Sequence, residues 1–236
     1  MPSSYKSNYR VVIPSINNSK TVLSYDLFDK STLVVPKDQY SDYKTEYGSK
    51  SVYCYPEGCT HLYEVRNWIR SHFTEEWIFM VDDNVDVMMR MYPPKNTRDR
   101  NIESSSIVTK ILETTIEATS SYGAYLFGFS ESTTHNHYDV FNPVSTFGFV
   151  STKAFGIHKD MEFQFEGDHL QGHWMTGINA FKYRKFYIDN RYAFRKLRGT
   201  ISITPESEWE KLHDAFGKNL FKKKESCEND ILNKVL

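Results

Sequence analysis

The run Trp77-Ile78-Phe79-Met80-Val81-Asp82-Asp83-Asn84 constrains this chain more than any other stretch. Its five successive apolar residues read as a buried strand. Two adjacent carboxylates sit where that strand ends. In open α/β sheets, ligands bind beyond the carboxyl ends of the strands. Paired carboxylates at that place suit a hard cation such as Mg²⁺ or Mn²⁺, held by oxygen and shared with substrate phosphates. Asp-Asp-Asn is also good turn chemistry, so an acidic turn is the competing reading.

The segment before the strand supports the ligand-site reading. From His61 to Phe73 the apolar residues Leu62, Val65, Trp68, Ile69 and Phe73 recur at three and four, the period of a helix packed on a sheet. Thr60 is the expected N-cap, and Glu64 lies in the first turn. Arg66 and Asn67 fall off the Leu62–Ile69 stripe, which leaves them to face the ligand edge. Arginine suits a pyrophosphate because it grips with two donors; a surface pairing with Glu64 or Glu57 is the alternative.

Strand-like and helix-like segments alternate along the chain. Tyr9–Pro14, Ser31–Val35 and Ser51–Tyr55 read as strands, and Asn17–Tyr25 and Gln39–Tyr47 as helices, the latter stopped by Gly48. Ser105–Ser121 reads as a helix and Ala124–Phe129 as a strand. Thr146–Val150 and Glu162–Phe165 are further expected strands, and Gln171–Phe181 and Glu206–Phe216 further helices. Lys185–Ile188 is expected to be extended, and Arg90–Asn101 and Thr133–His137 to be loops. This order predicts one α/β domain, with a mainly parallel mixed sheet flanked by helices. Its 236 residues suit a single compact unit.

Composition narrows the classes. The formal net charge of −1 excludes a global polyanion-binding signature. No apolar run approaches a membrane span, and Met1–Lys6 lacks an apolar signal segment, so a cytoplasmic protein with no membrane partner is expected. Three cysteines, Cys54, Cys59 and Cys227, fit a reducing compartment better than a disulfide framework.

Four pieces in order carry a specific resemblance: Val11-Val12-Ile13-Pro14-Ser15, Leu33-Val34-Val35-Pro36, the Arg66-Asn67 helix, and Val81-Asp82-Asp83. Together they resemble the nucleotide-binding half of a GT-A (Rossmann-like) glycosyltransferase. The likeness is closest to the TET-associated type, phage enzymes for hydroxymethylated pyrimidines in DNA. The resemblance runs from about Tyr9 to Arg198. It implies a single glycosyltransferase domain with a nucleotide-sugar half at 9–90, an acceptor half at 105–200 and a C-terminal helix and tail at 204–236. It implies a UDP-sugar donor with a divalent metal, and a hydroxymethylpyrimidine in phage DNA as acceptor, in the host cytoplasm. Asp83 is the implied metal ligand, with Asp82 as a ribose or second metal contact. Pro14, Ser15, Arg66 and Asn67 are the implied donor contacts.

The second half carries the remaining candidates. Such transferases place a catalytic carboxylate at the start of a helix. Asp168 matches that place, with Glu166 as runner-up, although Gly167 interrupts the family's more usual adjacent pair. A base there takes the proton of the acceptor hydroxyl; an N-cap aspartate is the bland alternative. His169 and His173 stand four apart, a spacing that shares a helix face. From Lys182 to Arg198 cations alternate with aromatics, a mixture that suits a nucleic-acid backbone and its bases. Arg184, Lys185, Arg195 and Lys196 are the candidate DNA contacts. Two rivals stand beside this reading: a glycosyltransferase with a polysaccharide or protein acceptor, and a non-catalytic nucleic-acid-binding module on a degenerate transferase fold.

Overall fold

The structure, a computed structural model, describes residues 8–92, 99–167, 169–197, 204–219 and 221. Asp168, Arg198 and Cys227 lie outside the described residues. The elements in chain order are β1 (Tyr9–Pro14), β2 (Thr32–Pro36), α1 (Tyr40–Tyr47), β3 (Val52–Tyr55), α2 (Leu62–His72), β4 (Trp77–Val81), β5 (Val85–Arg90), β6 (Asn101–Ile102), α3 (Ser105–Tyr122), β7 (Leu126–Ser130), β8 (Val144–Ser145), β9 (Ala154–His158), α4 (Gln171–Lys182), β10 (Tyr187–Lys196) and α5 (Glu206–Phe216).

One sheet runs in the order β3-β2-β1-β4-β9-β7-β10-β5-β6, with β8 pairing β10 from the side. β3, β2, β1 and β4 are mutually parallel. β9 enters antiparallel between β4 and β7, and β10 is parallel to β7. The carboxyl ends of β1, β4, β7 and β10 therefore share one edge of the sheet.

Burial on both faces explains the unbroken apolar run of β4. Trp77, Phe79 and Val81 pack on the side covered by Val108, Leu112 and Ile116 of α3. Ile78 and Met80 pack on the other side, against Val65 and Ile69 of α2 and Met175 of α4. Of the expected α2 stripe, Val65, Ile69 and Phe73 are buried, Trp68 is partly buried and Leu62 is exposed; the N-cap is His61 rather than Thr60, with Glu64 closing a capping box onto the His61 backbone.

Three expected elements are absent, each for a physical reason. Asn17–Tyr25 is not a helix beyond a 3₁₀ turn at Tyr25–Leu27. Its backbone donors go to distant partners instead: Asn18 to the Tyr43 hydroxyl, Val22 to the Tyr47 hydroxyl, and Leu23 to the Asp83 carbonyl. Glu162–Phe165 alternates like a strand, yet side chains hold its backbone in place of a ladder. Asn67 bonds both the N–H and the C=O of Phe165, and Arg70 donates to the carbonyls of Phe163 and Met161. Thr146–Val150 likewise lacks strand pairing; β8 pairs just before it, and the Val150 amide donates to the Thr176 hydroxyl. In the other direction, β5 and β9 are strands that the periodicity did not announce.

β9 is short and carries Gly156 at its centre, where a Cβ would lie 1.8 Å from Cε1 of Phe127. Phe127 itself stacks on Phe79 with centroids 5.8 Å apart. Gly156→Ala is therefore expected to destabilise the protein by about 1–3 kcal/mol, the range for overpacking a close-packed core. A urea melt measures it; an unchanged midpoint would show that the ring has room to move.

His173, on α4, is buried among the rings of Phe149, Trp209 and Phe221. Burial lowers its pKa from 6.5 to about 4. The unfolded chain therefore binds a proton that the folded chain refuses between those values, so stability falls as pH drops from about 6.5 towards 4. The loss by pH 5 is on the order of 2 kcal/mol. Comparing melts at pH 7 and pH 5 for the wild type and His173→Phe tests this, and equal pH slopes in the two proteins would refute it.

Candidate active site

The Asp-Asp-Asn segment is a turn and a cleft wall at once. The Val85 amide donates to the Asp82 carbonyl at 3.2 Å, closing a tight turn between β4 and β5. The turn stands at the carboxyl edge of the sheet, beside the end of β1. A cleft of about 260 Å³ opens there, lined by Pro14, Ser15, Tyr55, His61, Asp82, Asp83 and Lys196 among others.

A relay of hydroxyls fixes Asp83. Ser15 Oγ donates to its Oδ2 at 2.7 Å, and Asn18 Nδ2 approaches the same oxygen at 3.3 Å. With the Ser15 proton committed, the Tyr43 hydroxyl, 2.9 Å away, donates to Ser15 Oγ and accepts from the Asn18 amide. Burial pushes the Tyr43 hydroxyl pKa up, which keeps it a neutral donor. Oδ1 of Asp83 has no hydrogen bond among the described residues.

Asp82 stands between two cations. Its Oδ1 accepts from Arg66 Nη2 at 3.1 Å, and its Oδ2 from Lys196 Nζ at 2.6 Å. Arg66 lines the polar cavity that adjoins the cleft. It does fall off the apolar stripe, but it is buried, with a side-chain exposure of 3%. Its Nη1 donates to Gln171 at the start of α4, and its Nη2 also donates to the Thr152 carbonyl. The rings of Phe155 and Phe165 flank the guanidinium, and burial lowers its pKa against the pull of Asp82. Arg66 therefore sets Asp82 from below, and Asn67 anchors Phe165 rather than facing the ligand edge.

A second, more polar cavity of about 330 Å³ adjoins the cleft. The two share Leu62, Asp82 and Lys196. Thr152, His169 and Gln171 line the second cavity. The residue before His169 is Asp168, outside the described residues. Glu166 is exposed and lines a separate groove with Phe181, Lys182 and Phe216, away from the Asp82 edge.

The basic segment does not form one surface. Lys185 precedes β10, where its ammonium donates to the Tyr122 carbonyl, and Arg184 lies over the exposed Phe181 ring. Arg195 and Lys196 close that strand, beyond its register shift between Asp189 and Ala193. Arg195 is paired with Asp86 at 3.0 Å, and Lys196 lies in the cleft itself. The placement of Lys196, Tyr43 and Gln171 was hidden from the sequence, because each reaches the site through long-range pairing.

No group of three or more His, Cys, Asp or Glu suited to a metal occurs among the described residues. The donor set instead fits a hard cation held by one open carboxylate oxygen and completed by phosphate oxygens and water. No helix among the described residues is long and apolar enough to cross a membrane.

The sequence matches the TET-Associated Glycosyltransferase family over residues 9–191. The chain belongs to that family. The fold is similar to S. aureus TarS 1–349 in complex with UDP-GlcNAc, at a TM-score of 0.57 and 12% identity, over 89% of this chain and 65% of that one. The UDP complex of the same TarS fragment gives 0.51 at 13% identity, over 86% and 62%. Glucosyl-3-phosphoglycerate synthase from Mycobacterium tuberculosis with phosphoglyceric acid gives 0.50 at 9% identity, over 97% and 90%. The chain thus spans just under two thirds of the TarS fragments it matches. No curated protein matches the sequence. The architecture is the GT-A type, a mixed sheet with a parallel core flanked by helices.

Proposed function

We propose that the protein is a metal-dependent glycosyltransferase that moves a sugar from a UDP-sugar to the hydroxyl of a hydroxymethylpyrimidine in phage DNA. One observation carries the reading: in a chain of this family, Asp83 lines a cleft at the carboxyl edge of the sheet and bonds its described neighbours through Oδ2 alone. A Mg²⁺ or Mn²⁺ ion held by Asp83 and the diphosphate would neutralise the leaving group as a Lewis acid. The nucleoside occupies the cleft between Pro14, Tyr55 and His61. The sugar occupies the polar cavity beyond Asp82. Asp168, next to the cavity residue His169, takes the proton of the acceptor hydroxyl as its oxygen attacks the anomeric carbon and the bond to the diphosphate breaks.

The chain between β7 and β9 supports an acceptor surface on its side of the site. This stretch leaves and rejoins the sheet at the Asp82 edge, since Ala154 pairs with Val81. It exposes Phe141 at 88% and Phe147 at 68%. Exposed rings on that stretch would support stacking on splayed bases, and an enzyme acting on a base in a duplex needs groove access or base flipping. Mass spectrometry of hydroxymethylated DNA after incubation with a panel of nucleotide sugars and Mn²⁺ tests the proposal. An added hexose or pentose mass supports it. Hydrolysis of the donor without any DNA adduct would remove the DNA acceptor and favour a polysaccharide or protein acceptor.

A further inference from the structure

The sequence marks Lys196 as a candidate DNA contact, and the structure sets it on the wall of both cavities of the site. We propose that Lys196 is the diphosphate-binding cation of the donor site, and that it leaves Asp82 for the phosphates when a nucleoside diphosphate enters. The inference rests on the donor-site reading above and adds a residue and an exchange to it.

Three observations carry it. First, Lys196 is the only lysine or arginine on the wall of the nucleoside cleft, among the described residues. That wall also holds Asp82 and Asp83, so a diphosphate would otherwise meet two carboxylates. Second, Arg66, the other cation at Asp82, lines the second cavity and not the nucleoside cleft. It is buried, and it is tied to Gln171, Thr152 and Asp82 together. Among the described residues Lys196 bonds only Asp82, and its side chain is 42% exposed on a flexible stem. An ion pair exposed to that degree is weakly held. Third, the exchange strands no charge. Once Lys196 swings to a phosphate, Asp82 keeps Arg66 as its partner, so no buried carboxylate is left alone. The lysine lies where the two cavities meet, the place that a diphosphate must take if nucleoside and sugar lie on either side.

The arrangement makes the phosphates, not the nucleoside, the reporter. Calorimetry with UDP and with uridine, both in Mn²⁺, is run on the wild type, Lys196→Gln and Lys196→Arg, with melting temperatures as the check on folding. Lys196→Gln is expected to weaken UDP on the order of tenfold to a hundredfold, the range for one charge-assisted hydrogen bond, and to leave uridine unchanged. Lys196→Arg is expected to restore most of the UDP affinity. Equal UDP affinity in wild type and Lys196→Gln would overturn the inference while leaving the donor site standing. So would a parallel loss of UDP and uridine. A wild-type protein that binds neither UDP, GDP, ADP nor dTDP would overturn the donor-site reading itself, and this assignment with it.

Discussion

Replacing Asp83 by Ala is expected to abolish cation-dependent donor binding while leaving the fold intact. The carboxylate stands in a turn at the sheet edge and is only partly buried, so it adds little to packing. Its Oδ2 holds Ser15 and Asn18, and Ser15 lines the cleft, where water can replace the lost acceptor. What the variant removes is the open oxygen. Loss of a charged ligand to a divalent cation should lower UDP affinity by on the order of a hundredfold or more. The rise in affinity on adding Mn²⁺ should vanish with it. Calorimetry with and without Mn²⁺ decides the matter. A variant whose UDP binding still strengthens with Mn²⁺ would take Asp83 out of the site. Asp82→Ala should behave differently, because it leaves Arg66 buried without its carboxylate partner and so should lower the melting temperature as well.

The contrast between those two aspartates shows where the sequence was legible and where it was not. The strand-then-carboxylates pattern at Trp77–Asp83 placed the turn at the ligand edge, because five apolar residues fit only a strand covered on both faces. The α2 stripe and α5 were equally plain, since local periodicity alone defines them. The partners of the site residues were not plain. Arg66 lies off its helix's apolar stripe, and nothing in the sequence said that Gln171, 105 residues away, would bury it. Lys196 shares a basic run with Arg184 and Lys185, yet a ten-residue strand sends them to opposite edges of the sheet. β9 escaped for a related reason. Its antiparallel insertion between two parallel strands follows from Gly156 clearing the Phe127 ring, a contact across strands rather than along one. The 162–165 segment misled in the opposite sense, because side chains from α2 took over the backbone pairing that its alternation advertised.

Asp168→Asn is expected to remove turnover and to spare donor affinity. The resemblance of this chain to its family places a proton acceptor at the start of the helix in the second half, and α4 begins three residues after Asp168. The segment before α4 is held to its first turn, for Gln171 donates to the Gly167 carbonyl at 3.1 Å, while the same side chain accepts from Arg66. The Gly167 carbonyl is thereby linked, through Gln171 and Arg66, to Asp82. An asparagine at 168 keeps the shape but does not take a proton at neutral pH. Loss of a general base costs on the order of 10²–10⁴ in rate. Calorimetry with UDP should not register the change, because proton transfer plays no part in holding the diphosphate. Glu166→Gln is the matched control. Glu166 is exposed on the groove beside Phe181 and Phe216, and its amide variant should keep full activity. Sugar transfer to hydroxymethylated DNA, measured in both variants, separates the two carboxylates. A dead Glu166→Gln beside an active Asp168→Asn would move the base to Glu166 and require that segment to turn towards the cavity. Full activity in both would leave His169, on the cavity wall, as the next group to replace.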